Sequence, residues 1–261
     1  MSDAAIVRLF PAPTQERAAQ GDAATDALSD DDLAALYDAP RRSPWLRVNF
    51  VSSADGAATV QGLSAGLGDD ADHRVFDLLR RFCDVVVVGA GTVRAEGYGP
   101  MRVDRASQRA RAAAAGLGEQ PVFAVVSAGL DLDPADPLFA DAPVRPIVVT
   151  AETAAPEKRA ALAAVADVLV CGVDRVDPAA MVAVLAERGL TRIHCEGGPH
   201  LFGDLVATGA VDELCLTVSP LLVAGTASRI ATGAAPGVPV ELELAHVLRS
   251  GDTLLLRYVR R

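Results

Sequence analysis

Apolar residues in this chain fall into short runs separated by Gly, Pro and Asp, with helical periodicity between several of them. Val85-Val86-Val87-Val88 has no polar alternation, which predicts a strand buried on both faces of a parallel or mixed sheet. Val122–Val126, Pro146–Thr150, Val168–Cys171 and Thr191–Glu196 read as further strands, and Trp45–Ser53 alternates before the turn signal Asp55-Gly56. Helical spacing links Val75, Phe76, Leu79 and Phe82 behind a cap at Asp69 or Asp70. Other helices start near Pro156, at Asp177-Pro178 with a stop at Gly189, and after Gly197-Gly198-Pro199. Strand and helix in turn predict an α/β fold with crossovers. Toward the end, Glu213–Ser219, Val240–Leu248 and Thr253–Val259 are strands joined by loops, which predicts antiparallel pairing there.

Residues 1–43 read as an arm and 44–261 as one domain. In the arm, Ser29 caps a short helix from Asp30 to Asp38, acidic in its first turn, and Pro40 and Pro44 close it. The stretch from Pro11 to Ala27 has no sustained period, and whether the arm packs on the core or on a partner is left open. The segment with Arg102, Arg105, Arg109 and Arg111 is read as a largely solvated helix.

Composition narrows the function classes. A net charge of -10 argues against non-specific nucleic-acid binding but leaves room for a local arginine cluster on a small phosphorylated ligand. No run reaches the length of a membrane span and Met1–Phe10 has no signal-peptide apolar core, so a soluble cytoplasmic protein is expected. Cys83, Cys171, Cys195 and Cys215 are widely spaced and are read as buried free thiols. The four histidines have no metal-ligand spacing, so no metal site is expected.

Candidate chemistry centres on Asp84–Pro100. A valine strand running into Gly89-Ala90-Gly91-Thr92 is a small-residue turn able to bring backbone N–H groups to a phosphate. It is not a dinucleotide fingerprint of the Gly-x-Gly-x-x-Gly type, because Arg94 takes the third glycine position and no acid follows at ribose-binding distance. The arginine suits a 2′-phosphate. Gly62-Leu63-Ser64-Ala65-Gly66 matches a hydrolase nucleophile elbow in letters but lacks the strand and helix that the elbow needs. Glu196-Gly197-Gly198 puts a carboxylate at a strand end, next to a helix start that can hold an anion.

Five motifs in register, Ser53-Ala54-Asp55-Gly56, Asp84–Val93, Glu196-Gly197-Gly198, Val211–Leu214 and Ser219–Leu222, resemble the C-terminal reductase domain of the bifunctional riboflavin-biosynthesis deaminase/reductase, within the dihydrofolate-reductase-like superfamily. The chain also resembles the stand-alone pyrimidine-reductase-type proteins of actinobacteria, in keeping with its arginine and alanine bias. The resemblance implies a three-layer fold, with a mixed, mostly parallel sheet between helices, NADPH as cofactor and a homodimer. The implied reaction converts the ribosyl of 5-amino-6-(5-phosphoribosylamino)uracil to ribityl by hydride transfer. Cofactor positions by that resemblance are Gly89, Ala90, Gly91, Thr92, Val93, Arg94, Ser127, Thr150, Gly197, Gly198, Pro199 and Leu201, with Ser127 and Arg94 near the 2′-phosphate. Asn49, Ser53 and Arg102 fall on the substrate side, and Asp55, Glu96 and Glu196 are the carboxylates proposed as catalytic. Asn49 stands where the family usually has a lysine, and Glu96 where it usually has an aspartate. Those departures leave open dihydrofolate or pterin reduction, or NADP binding without turnover.

Overall fold

The computed structural model describes residues 5–11, 27–38, 43–114 and 116–261. Among the described residues ten strands form one sheet in the order β1-β9-β10-β8-β2-β7-β3-β4-β5-β6. The strands are β1 (Val7–Phe10), β2 (Trp45–Ser53), β3 (Val85–Gly89), β4 (Val122–Val126), β5 (Ile147–Thr150), β6 (Asp167–Val170), β7 (Arg192–Cys195), β8 (Glu213–Ser219), β9 (Leu242–Ser250) and β10 (Thr253–Arg260). The helices are α1 (Asp30–Tyr37), α2 (Asp70–Arg81), α3 (Ala90–Glu96), α4 (Arg105–Ala113), α5 (Pro137–Ala140), α6 (Pro156–Ala163), α7 (Pro178–Glu187) and α8 (Pro199–Ala207).

The four valines of β3 have no solvent exposure, as their unbroken apolar run requires. Val85 and Val87 pack with Met181, Leu185 and Leu205 on one face; Val86 and Val88 pack with Phe123, Leu138 and Leu162 on the other. Asp84 sets the register at the head of β3. Its carboxylate accepts from the backbone N–H of Thr191 (3.0 Å) and Arg192 (2.7 Å) and pairs with the Arg192 guanidinium, which pins β3 beside β7.

Strand β8 departs from the antiparallel expectation on one side. It runs parallel to β2 and antiparallel to β10, so the change of direction lies between β8 and β10. Gly89-Ala90-Gly91-Thr92 is not a free turn: Gly89 is the N-cap of α3, which starts at once. Arg111, expected on a solvated helix, is buried and donates to the carbonyls of Arg80, Arg81, Cys83 and Gly118, filling the C-terminal end of α2.

The described parts before Ser43 pack on the core. Ser29 caps α1 reciprocally with Asp32. Most of the stretch from Pro11 to Ala27, read as having no sustained period, and the stop at Pro40 lie outside the described residues. Strand β1, not anticipated from the sequence, pairs antiparallel with β9. Ile6, Leu33 and Tyr37 join Val75, Leu78, Leu79, Leu248 and Leu255 in one apolar cluster. All four cysteines are free and buried, and burial pushes the Cys83 and Cys195 thiols up to about 12, which leaves them inert.

Candidate active site

The C-terminal ends of β2, β3, β4 and β7 open into a cleft of about 830 Å³, the usual place for a ligand in an open α/β sheet. One end is lined by small residues: Gly89, Ala90, Gly91 and Thr92 at the start of α3, and Gly198, Pro199 and Leu201 at the start of α8. Side chains are excluded where these segments meet. A Cβ on Gly198 would lie 2.2 Å from Thr92 Oγ1, and one on Gly197, whose φ is +89°, would lie 2.6 Å from Phe50 Cζ. The Gly89 N–H donates to the Gly197 carbonyl at 2.7 Å, which locks the two glycine segments together. A Cβ on Gly91 would meet no protein atom, so the surface there stays open to a bound molecule. The first N–H groups of α8 have no intrahelical acceptor, and its residues His200 and Leu201 line the cleft. These features fit a phosphate-bearing ligand laid along main-chain donors.

The other end is polar, and Glu196 is its centre. Its carboxylate, 1% exposed, receives the Arg80 guanidinium as a fork, Nε at 2.6 Å and Nη2 at 2.7 Å, and the Tyr98 hydroxyl at 2.9 Å. Burial pushes the Glu196 pKa up, but the Arg80 charge and hydrogen bonds outweigh it and bring it to about 2. Glu196 is therefore an anion at neutral pH and has no proton to give. Burial first, then the Glu196 charge, raises the Tyr98 phenol, which stays a donor. His194 lies 3.5 Å from Glu196 through Nε2, has no hydrogen-bond partner among the described residues, and is held neutral by burial despite that acid. Arg80 also sits 4.2 Å over the Phe76 ring.

The sequence-derived residues divide. Asn49, Glu96, Arg102, Glu196, Gly89, Ala90, Gly91, Thr92, Gly198, Pro199 and Leu201 line the cleft. Ser53, Asp55, Val93, Arg94, Ser127, Thr150 and Gly197 do not. Asp55 is exposed and clasps two loops: it accepts from Ser53 Oγ and from the N–H groups of Val223 and Ala224. Those hydrogen bonds lower its pKa, so it too is anionic. Val93 is packed in the core, and Arg94 turns outward to the Asp131 carbonyl at 2.8 Å. Ser127 and Thr150 are buried in the β4–β5 pairing, their N–H and hydroxyl spent on Val149 and Ala128 carbonyls. Glu96 accepts from the Ser64 N–H at 2.8 Å and so ties the loop at 63–68 to the end of α3. Ser64 lies on a loop with neither strand before it nor helix after it, which is not an elbow.

Sequence reasoning missed Arg80, Tyr98, Asp72, Phe76 as a cleft residue, and Arg175. A signal existed for all but Arg175. Asp72, Phe76 and Arg80 are spaced four apart, so α2 carries a second stripe beside its Val75, Leu78 and Leu79 core stripe. Tyr98 stood inside the motif stretch of a chain with 4% aromatic residues.

Known proteins bear on this geometry. The RibD C-terminal domain profile matches residues 44–256. A 2,5-diamino-6-ribosylamino-4(3H)-pyrimidinone 5′-phosphate reductase from Methanothermobacter thermautotrophicus is 31% identical over 82% of this chain and 97% of its own length. The protein of the same description from Archaeoglobus fulgidus is 28% identical over 70% of this chain and 83% of its own. Among solved structures, a pyrimidine reductase-like protein from Corynebacterium diphtheriae superposes with a TM-score of 0.76 at 27% identity, covering 84% of this chain and 92% of that one.

Proposed function

Because the chain belongs to the RibD C-terminal domain family, we propose that it is an NADPH-dependent reductase of a phosphorylated ribosylaminopyrimidine in riboflavin biosynthesis, converting ribosyl to ribityl. The observation that carries this reading is one cleft joining a glycine-lined, anion-compatible end to a polar end built on Arg80, Glu196 and Tyr98. The Gly89–Thr92 segment and the start of α8 would hold the dinucleotide, and the nicotinamide supplies the hydride when bound. At the polar end the Arg80–Glu196 pair fixes charge and orientation, and the Tyr98 hydroxyl is oriented toward Glu196. Arg102, exposed at the mouth and bonded among the described residues to the Asp141 carbonyl alone, suits the substrate phosphate.

Mixing the protein with NADPH and the diaminopyrimidinone phosphate should consume NADPH absorbance and yield a product two hydrogens heavier by mass. Turnover of dihydrofolate without turnover of either pyrimidine would overturn the substrate assignment and keep the reductase class. Tight NADPH binding with no turnover of any of them would overturn the enzyme reading.

Preference for NADPH over NADH is assigned here to Arg175 instead of Arg94. Arg175, on the loop between β6 and α7, is exposed, lines the cleft with Val176 and Pro178, and has no carboxylate partner among the described residues. Arg175→Ala is expected to raise KM for NADPH about 10-fold, the worth of one charge-assisted hydrogen bond, and leave KM for NADH unchanged. Equal effects on both cofactors would refute it. The homodimer is also part of this proposal, supported by exposed Leu9 and Phe10 on the edge strand β1. Sedimentation equilibrium at twice the chain mass is the expected result.

A further inference from the structure

One buried carboxyl of the cleft has no part in the chemistry above. Asp72, near the start of α2, is 8% exposed and lines the polar end beside Gly68, His73 and Phe76. Its neighbours in charge are accounted for elsewhere. Glu196 is held by Arg80, and Asp69 accepts from the Asp72 N–H at 2.9 Å and the Thr253 hydroxyl at 2.6 Å. No arginine or lysine reaches Asp72 among the described residues; its side-chain partner is the Thr217 hydroxyl on β8. The loop backbone closes on it from another side, since a Cβ on Gly68 would lie 2.7 Å from Asp72 Oδ2. Burial raises its pKa, with Thr217 and then His73 offsetting in part.

A carboxylate this far from water is costly unless donors reach its free lone pairs. The protein supplies one hydroxyl, and the cleft is where further donors can come from. Phe76, one turn along the same stripe of α2, lines the cleft and brings apolar ring surface beside the carboxylate, with Arg80 over one of its faces. Carboxylate and ring wall together suit a flat heterocycle with two neighbouring N–H groups on one edge.

We infer that Asp72 reads the 2-amino-4(3H)-pyrimidinone edge of the substrate, accepting from N3–H and the 2-amino group as a parallel pair, and so selects a 2-aminopyrimidinone over a uracil. This deepens the reductase reading and rests on it. The chemistry separates the two rings sharply. On the edge remote from the ribose-bearing carbon, the aminopyrimidinone shows two adjacent donors, which match the two oxygens of a carboxylate. The uracil shows one N–H between two carbonyl oxygens there, and those oxygens meet the carboxylate lone pairs with repulsion.

The test compares kcat/KM for 2,5-diamino-6-ribosylamino-4(3H)-pyrimidinone 5′-phosphate and for its uracil counterpart, with NADPH saturating. Wild-type protein is expected to prefer the diamino substrate by about 10²-fold or more, as sites built on hydrogen-bond matching do. In Asp72→Asn the side chain presents one acceptor and one donor, the complement of the uracil N3–H and carbonyl. The preference should then fall to within a few-fold or reverse, with the Kd for NADPH unchanged. Equal wild-type efficiency on the two rings, or equal loss on both in Asp72→Asn, overturns the inference and leaves the reductase reading standing. Binding of 2-aminopyrimidin-4(3H)-one and of uracil, followed by ligand-observed NMR, separates the two ideas from the other side. If neither phosphate is reduced but the amino fragment alone binds, and loses binding in Asp72→Asn, the reaction reading falls and the Asp72 subsite stands. The wild-type preference needs no variant to fold.

Discussion

Glu213→Gln is expected to lower folding stability by about 3–5 kcal/mol, the cost of leaving buried cations without their counter-charge. Glu213 has no solvent exposure, and it accepts from Arg47 through Nε (2.7 Å) and Nη2 (3.2 Å), from Arg257 through Nε (2.8 Å) and Nη2 (3.1 Å), and from Trp45 Nε1 (2.8 Å). The two arginines also donate to the carbonyls of Leu36, Tyr37 and Asp38, at the C-terminal end of α1. The cluster therefore fastens the N-terminal helix to β2, β8 and β10, and its loss should loosen α1 first. Hydrogen exchange in 30–37 should rise in the variant before the central strands open.

The same cluster makes stability depend on pH. Burial raises the Glu213 pKa and the two arginines more than reverse it, to about 2 from 4.5. A carboxyl lowered by folding stabilises fully above its unfolded pKa and loses that contribution as pH falls from about 4.5 toward 2. Glu196 behaves alike, also at about 2. His246, packed edge-on against Tyr37, is pushed down to about 4 by burial and then by the Arg257 charge. The unfolded imidazole protonates first, so its contribution is lost as pH falls from 6.5 toward 4. Urea midpoints should hold above neutrality, decline from about pH 6.5, and steepen below about 4.5. In Glu213→Gln the second decline should shrink. An unchanged midpoint and pH profile in that variant would show that the cluster contributes nothing.

Arg80→Met is expected to reduce kcat/KM by about 10²-fold or more, on the scale of a small displacement of a positioning group. Methionine keeps much of the volume and the contact with Phe76 but leaves Glu196 buried without its counter-charge. The Glu196 pKa should then rise from about 2, and the pH–rate profile should acquire an acid limb that the wild type lacks. Arg80→Lys restores charge but not the fork, so it should recover only part of the rate. A Met variant with wild-type kcat/KM would remove Arg80 from the site.

Much of this protein was determined by its sequence read alone. Order and type of the central elements follow from local rules: four valines make a strand buried on both faces, Ser29 and Asp69 cap helices, and Gly189 ends one. The small residues from Gly89 to Thr92 and the Glu196-Gly197-Gly198 junction marked the cleft, and at Gly197 and Gly198 the close approach of Phe50 and Thr92 leaves no room for a side chain. Short β1 escaped because Val7–Phe10 becomes a strand only by pairing with β9, more than two hundred residues on.

Which side chains face the cleft was decided by the tertiary structure. Asp55 and Asp72 are both acids near a strand or helix end, yet one clasps surface loops and the other lies buried at the polar end. Arg94, next to the glycine segment in sequence, turns away, while Arg175 from another crossover lines the cleft. Arg80 and Glu196 meet across 116 positions, and Trp45 and Glu213 across 168. Local patterning specifies each element's buried face, but the pairing of groups so distant in sequence exists only once the sheet order sets β8, β2, β7 and β3 side by side.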